Sequence, residues 1–488
     1  MAAKSPEGAP LAEKSVFIVG AGMGGLAAAL RLSGRARVTV FDRAPRVGGK
    51  MREITIDGAP IDVGPTVLTM KWVFDELFAG AGAHFDTAVP TTRLDILARH
   101  FWRDGSQFDL FAEDRAALDA VGDFAGREEA DGFLRFLGEA RRIERMLRDS
   151  FLRAPAPDMA AMLRAAGPFQ LLKVDPFTTY WSALGRYFRD ARLRQLFARY
   201  ATYCGSSPFK APATLMLIAA VEKAGVWAPK EGMAGLARIT AQLGMERGVI
   251  FRLGEGVAEV KLSSGRATGV ITQSGERLDA DAIIVNADAA AIASGLLGAA
   301  IAGAGPRMPN ARSQSAITFA FSAATSDAPL DRHNVFFSDD YKAEFDSVFD
   351  RREVPRQPTT YVWAPPSAGD GAQRLFCLVN APAGTASADK ARARMIDHLA
   401  ACGLSLDIKS AFQVTPQDFA RDYPGTEGAI YGAPSHGWRA TFERAGVRTR
   451  IPGLYLAGGS VHPGPGVPMA ALSGMAAAKC LMTDFGLT

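Results

Sequence analysis

The sequence predicts an α/β fold in which a parallel sheet binds a dinucleotide, and three features support this prediction. An apolar, β-branched run, Val16–Val19, leads through a glycine-rich turn into a helical stretch, Leu26–Leu32. A second strand, Arg37–Asp42, ends in a carboxylate about 20 residues beyond the turn. Far along the chain, a last buried strand, Leu454–Ala457, opens into a helix of small residues. The sheet is therefore predicted to assemble from segments that are distant in sequence.

The glycine-rich turn has the spacing G-x-G-x-x-G, formed by Gly20, Gly22 and Gly25, with Gly24 as a further glycine. Glycine suits these positions because the turn is tight, the backbone approaches a pyrophosphate, and helix and strand pack closely. The helix N-terminus adds free N–H groups and a partial positive charge. Asp42 stands where a carboxylate accepts hydrogen bonds from ribose hydroxyls. This spacing alone does not distinguish NAD from FAD.

The residues after Asp42 narrow the choice of cofactor. Gly48 and Gly49 form a second pair without side chains, and Arg43 and Lys50 can add positive charge near a pyrophosphate. In this layout the N-terminal region resembles the flavin-containing amine oxidase and carotenoid desaturase superfamily, whose core is a Rossmann-type FAD-binding domain. The resemblance implies FAD as the cofactor and these residues as part of its binding site.

Two later stretches continue the resemblance. The segment D-x-G-P-T, which begins at Asp62, lies beside the flavin in the superfamily and implies cofactor contacts from Gly64, Pro65, Thr66 and Val67. Between residues 249 and 285 we predict a meander of strands, which in the superfamily lies against the Rossmann sheet. The resemblance places Val257 on the adenine side and makes Asn286 the start of the family's N-A-D sequence, another cofactor contact.

The C-terminal strand and helix carry the superfamily's other FAD signature. Pro468 suits the first turn of a helix, because the N–H that proline lacks has no partner there. In the superfamily this helix N-terminus faces the N1–O2 edge of the flavin and stabilises the anion formed on reduction. The resemblance implies cofactor contacts from Gly459, Ser460, Val467, Pro468 and Met469.

Composition excludes several classes of protein. The net charge of +4 comes from 55 basic and 51 acidic residues, a balance that argues against nucleic-acid binding. Four widely spaced cysteines without a C-x-x-C pair indicate a reducing compartment, and the six histidines show no metal-ligand spacing. Residues 1–14 lack the apolar core of a signal peptide and are expected to form a disordered tail. We therefore expect a cytoplasmic protein without a metal.

A basic segment, Arg135–Arg199, suggests contact with membranes. It holds thirteen basic and six acidic residues, an excess of +7 in a chain whose total is +4. Its charges alternate at helical spacing with apolar residues, as in a basic amphipathic helix on an anionic membrane. The alternative is a solvated helical face packed on a core. We expect peripheral attachment to the inner face of the cytoplasmic or photosynthetic membrane.

A second set of strands, between Ala316 and Val379, resembles the bacterial carotenoid desaturases of the phytoene type. The stretch from Gly64 to Phe78 is most similar to the carotenoid 3,4-desaturases of purple bacteria, which act on 1-hydroxy- or methoxyneurosporene. The resemblance implies an acyclic carotenoid substrate, hydride transfer to flavin N5, and oxygen or a quinone as electron acceptor. The alternatives are a phytoene desaturase or other carotenoid desaturase or isomerase, an amine oxidase, and a non-catalytic flavoprotein or carotenoid carrier.

The sequence does not identify catalytic residues. No Cys–His, Ser–His or metal constellation is present, and no second dinucleotide fingerprint indicates reduction by NAD(P)H. His436 and His462 lie near the flavin motifs, but a lone histidine there is more often a structural hydrogen-bonding group. A delocalised cation beside a polyene loses its proton readily, so a weak base or water can suffice.

The predicted architecture combines a discontinuous Rossmann-type FAD-binding domain, a mixed-sheet substrate domain and a helical, membrane-facing lid. The FAD-binding domain comprises 15–90, 226–290 and 440–488. The substrate domain comprises 91–130 and 291–439, with the strand-like section from Arg93 to Leu110 in its sheet. The helical subdomain comprises 131–225.

Overall fold

The computed structural model describes residues 14–158, 175, 177–305, 311–325, 328–366, 372–440 and 442–486. The predicted tail, except for Lys14, lies outside these residues, as do Met162, Arg164, Phe169, Leu171, Leu172 and Lys173 of the basic segment. Placing Lys14 in a disordered tail was wrong, because its ammonium forms an ion pair of 3.1 Å with Asp281. The predicted α/β fold is confirmed.

The strands of the described residues, in chain order, are β1 (Ser15–Val19), β2 (Arg37–Asp42), β3 (Glu53–Ile56), β4 (Ala59–Asp62), β5 (Thr91–Arg93), β6 (Ile96–Phe101), β7 (Gln107–Phe111), β8 (Trp227–Pro229), β9 (Ile250–Leu253), β10 (Val257–Ser263), β11 (Arg266–Thr272), β12 (Arg277–Asp279), β13 (Ala282–Val285), β14 (Ser315–Thr325), β15 (His333–Phe336), β16 (Thr360–Trp363), β17 (Gln373–Ala381), β18 (Leu406–Val414) and β19 (Leu454–Leu456).

The helices of the same residues are α1 (Met23–Leu32), α2 (Lys71–Ala79), α3 (Phe85–Ala88), α4 (Asp114–Ala125), α5 (Arg127–Leu147), α6 (Tyr180–Leu184), α7 (Ala191–Ala198), α8 (Leu217–Ala224), α9 (Gly232–Glu246), α10 (Ala289–Ala293), α11 (Tyr341–Phe345), α12 (Ala388–Ala401), α13 (Pro416–Asp422) and α14 (Val467–Asp484).

A parallel sheet with the strand order β19-β13-β1-β2-β9 carries the glycine-rich turn that follows β1. Each neighbouring pair is parallel, for example Val19 opposite both Phe41 and Val285. β13 is buried along its whole length and β1 over most of it, which explains their near-continuous apolar sequences. The strands come from the N-terminal, middle and C-terminal parts of the chain, as the sequence predicted.

The predicted meander was partly wrong. Only β10, β11 and β12 pair antiparallel, whereas β9 joins the parallel sheet beside β2 and β13 joins it beside β1. Alternation of apolar and polar residues indicates a half-buried strand but not the strand that lies beside it.

A mixed sheet has the order β18-β14-β17-β16-β15-β6-β7 in the part of the chain that the structure describes. The predicted strands between Ala316 and Val379 are all present, and the section from Arg93 to Leu110 joins this sheet through β6 and β7. β18 was not predicted. It is an edge strand with five exposed residues, so its sequence lacks the continuous apolar character of its neighbours.

Helix α5 and the helices that follow it share one hydrophobic core with residues of the mixed sheet. Its apolar face is fully packed in the main core, where Phe136 contacts Phe188 and Phe197. The amphipathic pattern in this helix therefore reflects core packing, and the opposite face, which carries the charged residues together with Leu134, meets solvent. No helix among the described residues is long and apolar enough to cross a membrane.

Candidate flavin site

The glycine turn between β1 and α1 is a cradle from which side chains are excluded. A Cβ atom on Gly25 would lie 2.0 Å from the carbonyl oxygen of Gly20, and one on Gly24 would lie 2.8 Å from the amide nitrogen of Gly458. Gly20 has a φ of 106°, which favours glycine. These positions hold glycine because the turn, α1 and the strand end of β19 approach one another at backbone distance.

Asn286, directly after β13, holds this cradle in shape. Its side-chain Nδ2 donates hydrogen bonds to the carbonyl oxygens of Gly20, at 3.0 Å, and Gly22, at 3.3 Å. Asn286, for which the resemblance implies a cofactor contact, therefore holds the turn in its conformation.

The second glycine pair lies directly beside the first turn. The amide of Gly48 donates to the carbonyl of Ala21 at 2.8 Å, and a Cβ on Gly49 would lie 3.2 Å from the Cα of Gly22. Helix α1 has no side-chain cap and no acidic residue in its first turn, so its first N–H groups remain available to an anion. Two loops without side chains beside an uncapped helix fit a pyrophosphate.

Asp42, at the end of β2, is tied to the backbone through both carboxylate oxygens. One accepts from the amide of Ala21 at 2.7 Å and the other from the amide of Ala44 at 2.8 Å. Burial raises the pKa of Asp42, although these hydrogen bonds oppose the shift. The backbone carbonyl of Asp42 accepts a hydrogen bond of 2.8 Å from the amide of Glu255, two residues before Val257.

The two cations predicted near the pyrophosphate occupy different positions. Arg43 is exposed at the surface. Lys50 lies deep, donates to the carbonyl of Ile430 and stands 5.5 Å above the ring of Tyr423. Burial lowers the pKa of Lys50, opposed by the carboxylate of Asp288. Lys50 thus links the second glycine pair to the segment that precedes β19.

The segment Gly64–Val67 joins the cradle to the mixed sheet. A Cβ on Gly64 would lie 2.0 Å from the carbonyl oxygen of Lys50. Thr66 is buried, and its hydroxyl lies 2.6 Å from the hydroxyl of Tyr361, which lies 2.7 Å from Nδ1 of His333. Pro65 and Val67 keep part of their surface accessible.

The C-terminal signature closes the cradle on the remaining side. The hydroxyl of Ser460 accepts from the amide of Ala289 at 2.9 Å. Gly459 and Ser460 are partly accessible, as are Val467 and Met469 in the first turn of α14, whereas Pro468 is buried. Like α1, α14 begins after a glycine and has no side-chain cap.

Several side chains lie deep in the molecule and yet keep part of their surface accessible. We call the cluster that they form the deep chamber. Its members include Lys50, Arg199, Tyr203, Cys204, Tyr361 and Tyr431. Tyr361 contacts Thr66, and a Cβ on Gly432, next to Tyr431, would lie 3.0 Å from Ser460. The chamber therefore adjoins both the G-P-T segment and the C-terminal signature.

A known protein family matches most of this chain. Residues 23–482 match the family of flavin containing amine oxidoreductases. The chain belongs to this family. It is 45% identical to a hydroxyneurosporene desaturase of Rubrivivax gelatinosus over 98% of this chain and 95% of that one.

Two further similarities bear on fold and substrate. The chain is 31% identical to a 1-hydroxycarotenoid 3,4-desaturase of a Flavobacterium species, over 94% of this chain and 97% of the relative. A solved structure of putrescine oxidase bound to putrescine has a TM-score of 0.64 at 18% identity, covering 96% of this chain and 99% of that one. This last likeness concerns the fold. The family membership makes the protein a flavoprotein.

The two histidines weighed as proton acceptors in this flavoprotein both serve the backbone. Nε2 of His436 accepts from the amide of Ser207 at 3.0 Å, and burial lowers the pKa of His436 to about 4. Nε2 of His462 lies 2.8 Å from the carbonyl of Phe151, and burial likewise lowers the pKa of His462 to about 4. No group of His, Cys, Asp and Glu in the described parts of the chain has the geometry of a metal site.

Sequence reasoning named Lys50 but missed the role of the other residues of the deep chamber. Arg199 was counted only as part of the basic segment, Tyr361 only as part of a strand, and Tyr203 was not singled out. These three residues come from two distant segments, so no local spacing marks them. Gly474 was also missed: a Cβ there would lie 2.0 Å from the carbonyl oxygen of Gly24, which explains the run of small residues in α14.

Proposed function

We propose that this flavoprotein desaturates an acyclic carotenoid at C3–C4, with 1-hydroxy- or methoxyneurosporene as substrate and FAD as cofactor. The observation that carries the proposal is the near full-length likeness to a hydroxyneurosporene desaturase. The relative whose name specifies a 1-hydroxycarotenoid and the 3,4 bond supports the same regiochemistry.

The deep chamber suits the chemistry of such a reaction. When bound, a flavin accepts a hydride at N5. The chain's own residues must hold the reacting carbon beside the cradle and exclude water, and the chamber offers the rings of Tyr203, Tyr361 and Tyr431 for these tasks. The substrate loses a hydride next to its polyene and then a proton from the adjacent carbon, which water or a weak base accepts. Neither buried histidine is required.

Oxidation of an amine is the competing function on this fold. A chamber for an amine has to tolerate an ammonium group during binding. The guanidinium of Arg199 belongs to the chamber, and the acid Glu222 reaches it through the hydroxyl of Tyr203 rather than by direct contact. A cation in a low-dielectric cavity repels an ammonium group, whereas an uncharged carotenoid pays no such penalty.

We propose FAD rather than a mononucleotide because the cradle has parts for an adenosine half. The contacts would come from the turn (Gly20, Gly22, Gly24, Gly25), the ribose side (Asp42), the adenine side (Val257), the second loop and its cations (Arg43, Gly48, Gly49, Lys50), the G-P-T segment (Gly64, Pro65, Thr66, Val67), Asn286, and the C-terminal signature (Gly459, Ser460, Val467, Pro468, Met469). Heat-released cofactor, separated by chromatography and weighed by mass spectrometry, should be FAD. Release of FMN alone would contradict the proposal.

The decisive experiment for the function mixes oxidised protein anaerobically with candidate substrates. Addition of 1-hydroxyneurosporene in lipid should bleach the flavin and give a product with one more conjugated double bond and a red-shifted spectrum. Phytoene and a panel of amines should bleach little. Efficient multi-step desaturation of phytoene would overturn the 3,4 assignment, and bleaching by an amine would favour the oxidase. If no carotenoid bleaches the flavin, a non-catalytic carotenoid carrier would be the favoured alternative.

We also propose peripheral attachment to the inner face of the cytoplasmic or photosynthetic membrane, where such substrates dissolve. The support is the exposed face of α5 and of the turn that follows it, which includes Leu134, Arg135, Arg141, Arg145 and Arg148. Arg141 and Arg148 are ion-paired with Asp114 and Glu144, and the apolar face of α5 is buried, so attachment would be electrostatic.

Flotation with anionic liposomes tests this attachment. Replacing Arg141, Arg142, Arg145 and Arg148 with glutamine should reduce flotation steeply, and added salt should do the same. A matched set on other surfaces, Arg277, Arg351, Arg356 and Arg421, should have little effect. Equal loss from both sets would show that only total charge matters.

We propose that the electron acceptor is either oxygen or a quinone. Stopped-flow reoxidation of the reduced flavin by each of the two would identify it.

A further inference from the structure

Arg199 is a deeply placed cation for which no carboxylate of the described residues forms an ion pair. It begins a short 3-10 turn directly after α7, belongs to the deep chamber, and keeps part of its surface accessible. Nη1 donates a hydrogen bond of 3.1 Å to the hydroxyl of Tyr203. A guanidinium has five N–H donors, so this bond leaves further donors of Arg199 for a ligand.

Two tyrosines and a buried acid hold this guanidinium in place. Glu222 accepts from the hydroxyls of Tyr200 and Tyr203, the second at 3.1 Å. Because the Tyr203 proton is donated to Glu222, its oxygen is free to accept from Arg199. The rings of Tyr203 and Tyr361 lie 5.3 Å and 5.5 Å from the guanidinium carbon. The carboxylate thus compensates the arginine through one tyrosine, without occupying its remaining donors.

The position of Arg199 relative to the cradle is defined by Tyr361. This tyrosine packs beside the guanidinium and bonds through its hydroxyl to Thr66 in the G-P-T segment. One aromatic side chain therefore separates the guanidinium from the wall of the flavin cradle. In a 1-oxygenated acyclic carotenoid, the oxygen is attached two carbons from C3, so its partner must also stand within about one side chain of the reacting bond.

We infer that Arg199 binds the C1 oxygen of the carotenoid and sets both its register and the preference for oxygenated substrates, an inference that rests on the proposed function. Arginine is a donor only, and the oxygens of a hydroxyl and of a methoxyl group both accept. The same residue therefore serves both substrates. A carotenoid without the oxygen leaves the guanidinium desolvated and unpaired, which a site built for hydrogen bonding rejects. Tyr203 and Glu222 act as positioning residues.

The test compares 1-hydroxyneurosporene, 1-methoxyneurosporene and neurosporene on the holoenzyme and its variants. Two readouts are used: kcat/KM for desaturation, and the dissociation constant from quenching of protein fluorescence in the absence of turnover. Arg199→Met should lower kcat/KM and affinity for both oxygenated substrates by about 10–100-fold, with neurosporene nearly unchanged. Arg199→Lys, which keeps a donor, should restore part of the preference.

Tyr203→Phe and Glu222→Gln leave Arg199 in place but remove its support, so they should reduce the preference by a smaller factor. They also cover the case in which Arg199→Met fails to fold. Arg192→Gln is the matched control, because Arg192 lies in the preceding helix α7 and its guanidinium is paired with Asp190. It should leave the preference and the flavin content unchanged.

The outcomes separate this inference from the proposed function. If the wild type desaturates the oxygenated substrates and the Arg199 variants keep its preference, the inference is wrong and the function stands. If no carotenoid is desaturated but the wild type binds oxygenated carotenoids in preference and Arg199→Met loses this, the binding site stands and the function is wrong. Absence of both turnover and preferential binding would overturn both.

Discussion

The glycine cradle and the deep chamber lie side by side but recognise their ligands by opposite means. In the cradle the backbone makes the contacts, and side chains are excluded from Gly20, Gly24 and Gly25 by distances as short as 2.0 Å. In the chamber the side chains of Arg199, Tyr203 and Tyr361 make the contacts. Recognition by backbone requires particular residues at fixed spacing, whereas recognition by side chains can draw on any segments that the fold brings together. The cradle should therefore tolerate substitution less than the chamber does.

The largest effect is expected from Gly25→Ala. The added Cβ would lie 2.0 Å from a backbone carbonyl, so the turn or α1 has to move. We expect a loss of stability of more than about 3 kcal/mol and loss of the flavin. Flavin absorbance relative to protein and thermal unfolding measure both quantities.

Gly138→Ala is the control for that substitution. Gly138 lies on the exposed face of α5, and a Cβ there meets nothing within 4 Å. Alanine should raise the stability by about 0.5–1 kcal/mol and leave the flavin bound. Retention of flavin by Gly25→Ala would show that the cradle tolerates a side chain, which would contradict the expected difference between the cradle and the deep chamber.

The next effect concerns Asp62, which caps α9 by accepting from the amides of Met233 and Ala234. Burial raises the pKa of Asp62 from 3.8 to about 6. Between these values the folded protein binds more protons than the unfolded chain, so its stability should fall as the pH rises from about 4 to about 6. The contribution is at most about 3 kcal/mol.

Asp62→Asn should flatten this part of the pH profile of the unfolding free energy, measured by denaturant titration. Glu53→Gln, which removes a negative charge opposite Asp62 on the same hairpin, should reduce the slope only in part, because burial is the larger cause of the raised pKa. An unaltered slope in Asp62→Asn would show that Asp62 remains ionised in the fold and that hydrogen bonding outweighs burial.

Asp42→Ala should weaken FAD binding by about 1–3 kcal/mol, because the ribose hydroxyls lose a charged acceptor and the amides of Ala21 and Ala44 lose theirs. Retention of FAD on dilution, followed by fluorescence, measures the change. Asp42→Asn, which keeps one acceptor oxygen, should fall between the wild type and the alanine variant. Unchanged retention in Asp42→Ala would remove the ribose assignment.

The smallest effect is expected in the chamber. Tyr361→Phe removes a hydroxyl that bonds Thr66 and His333 and should cost about 1–2 kcal/mol of stability while the flavin stays bound. Tyr341→Phe is the matched control, because the Tyr341 hydroxyl is buried without a partner and its removal should cost nothing. Equal unfolding temperatures for the two variants would contradict the assigned hydrogen bonds.

The sequence predicted the cradle far better than the chamber, because a backbone turn requires residues at fixed spacing and a cluster of side chains does not. The positions of Gly20, Gly25 and Asp42 follow from the geometry of one turn, so their spacing carried the signal. β18 was missed because an edge strand needs no apolar run, and β9 was misassigned because alternation does not identify a neighbour. Arg199 could not be distinguished from surface arginines, since its burial depends on α8, α11 and the mixed sheet together.

The contact between α1 and α14 has a consequence for biosynthesis. Strand β19 pairs with β13, and Gly474 in α14 packs against the carbonyl of Gly24, so one wall of the cradle comes from residues beyond 450. While the ribosome is still translating the middle of the chain, the N-terminal turn has neither this strand nor this helix beside it. The cradle is therefore complete only after nearly all of the polypeptide has been made, so the flavin can enter the finished site only late in synthesis.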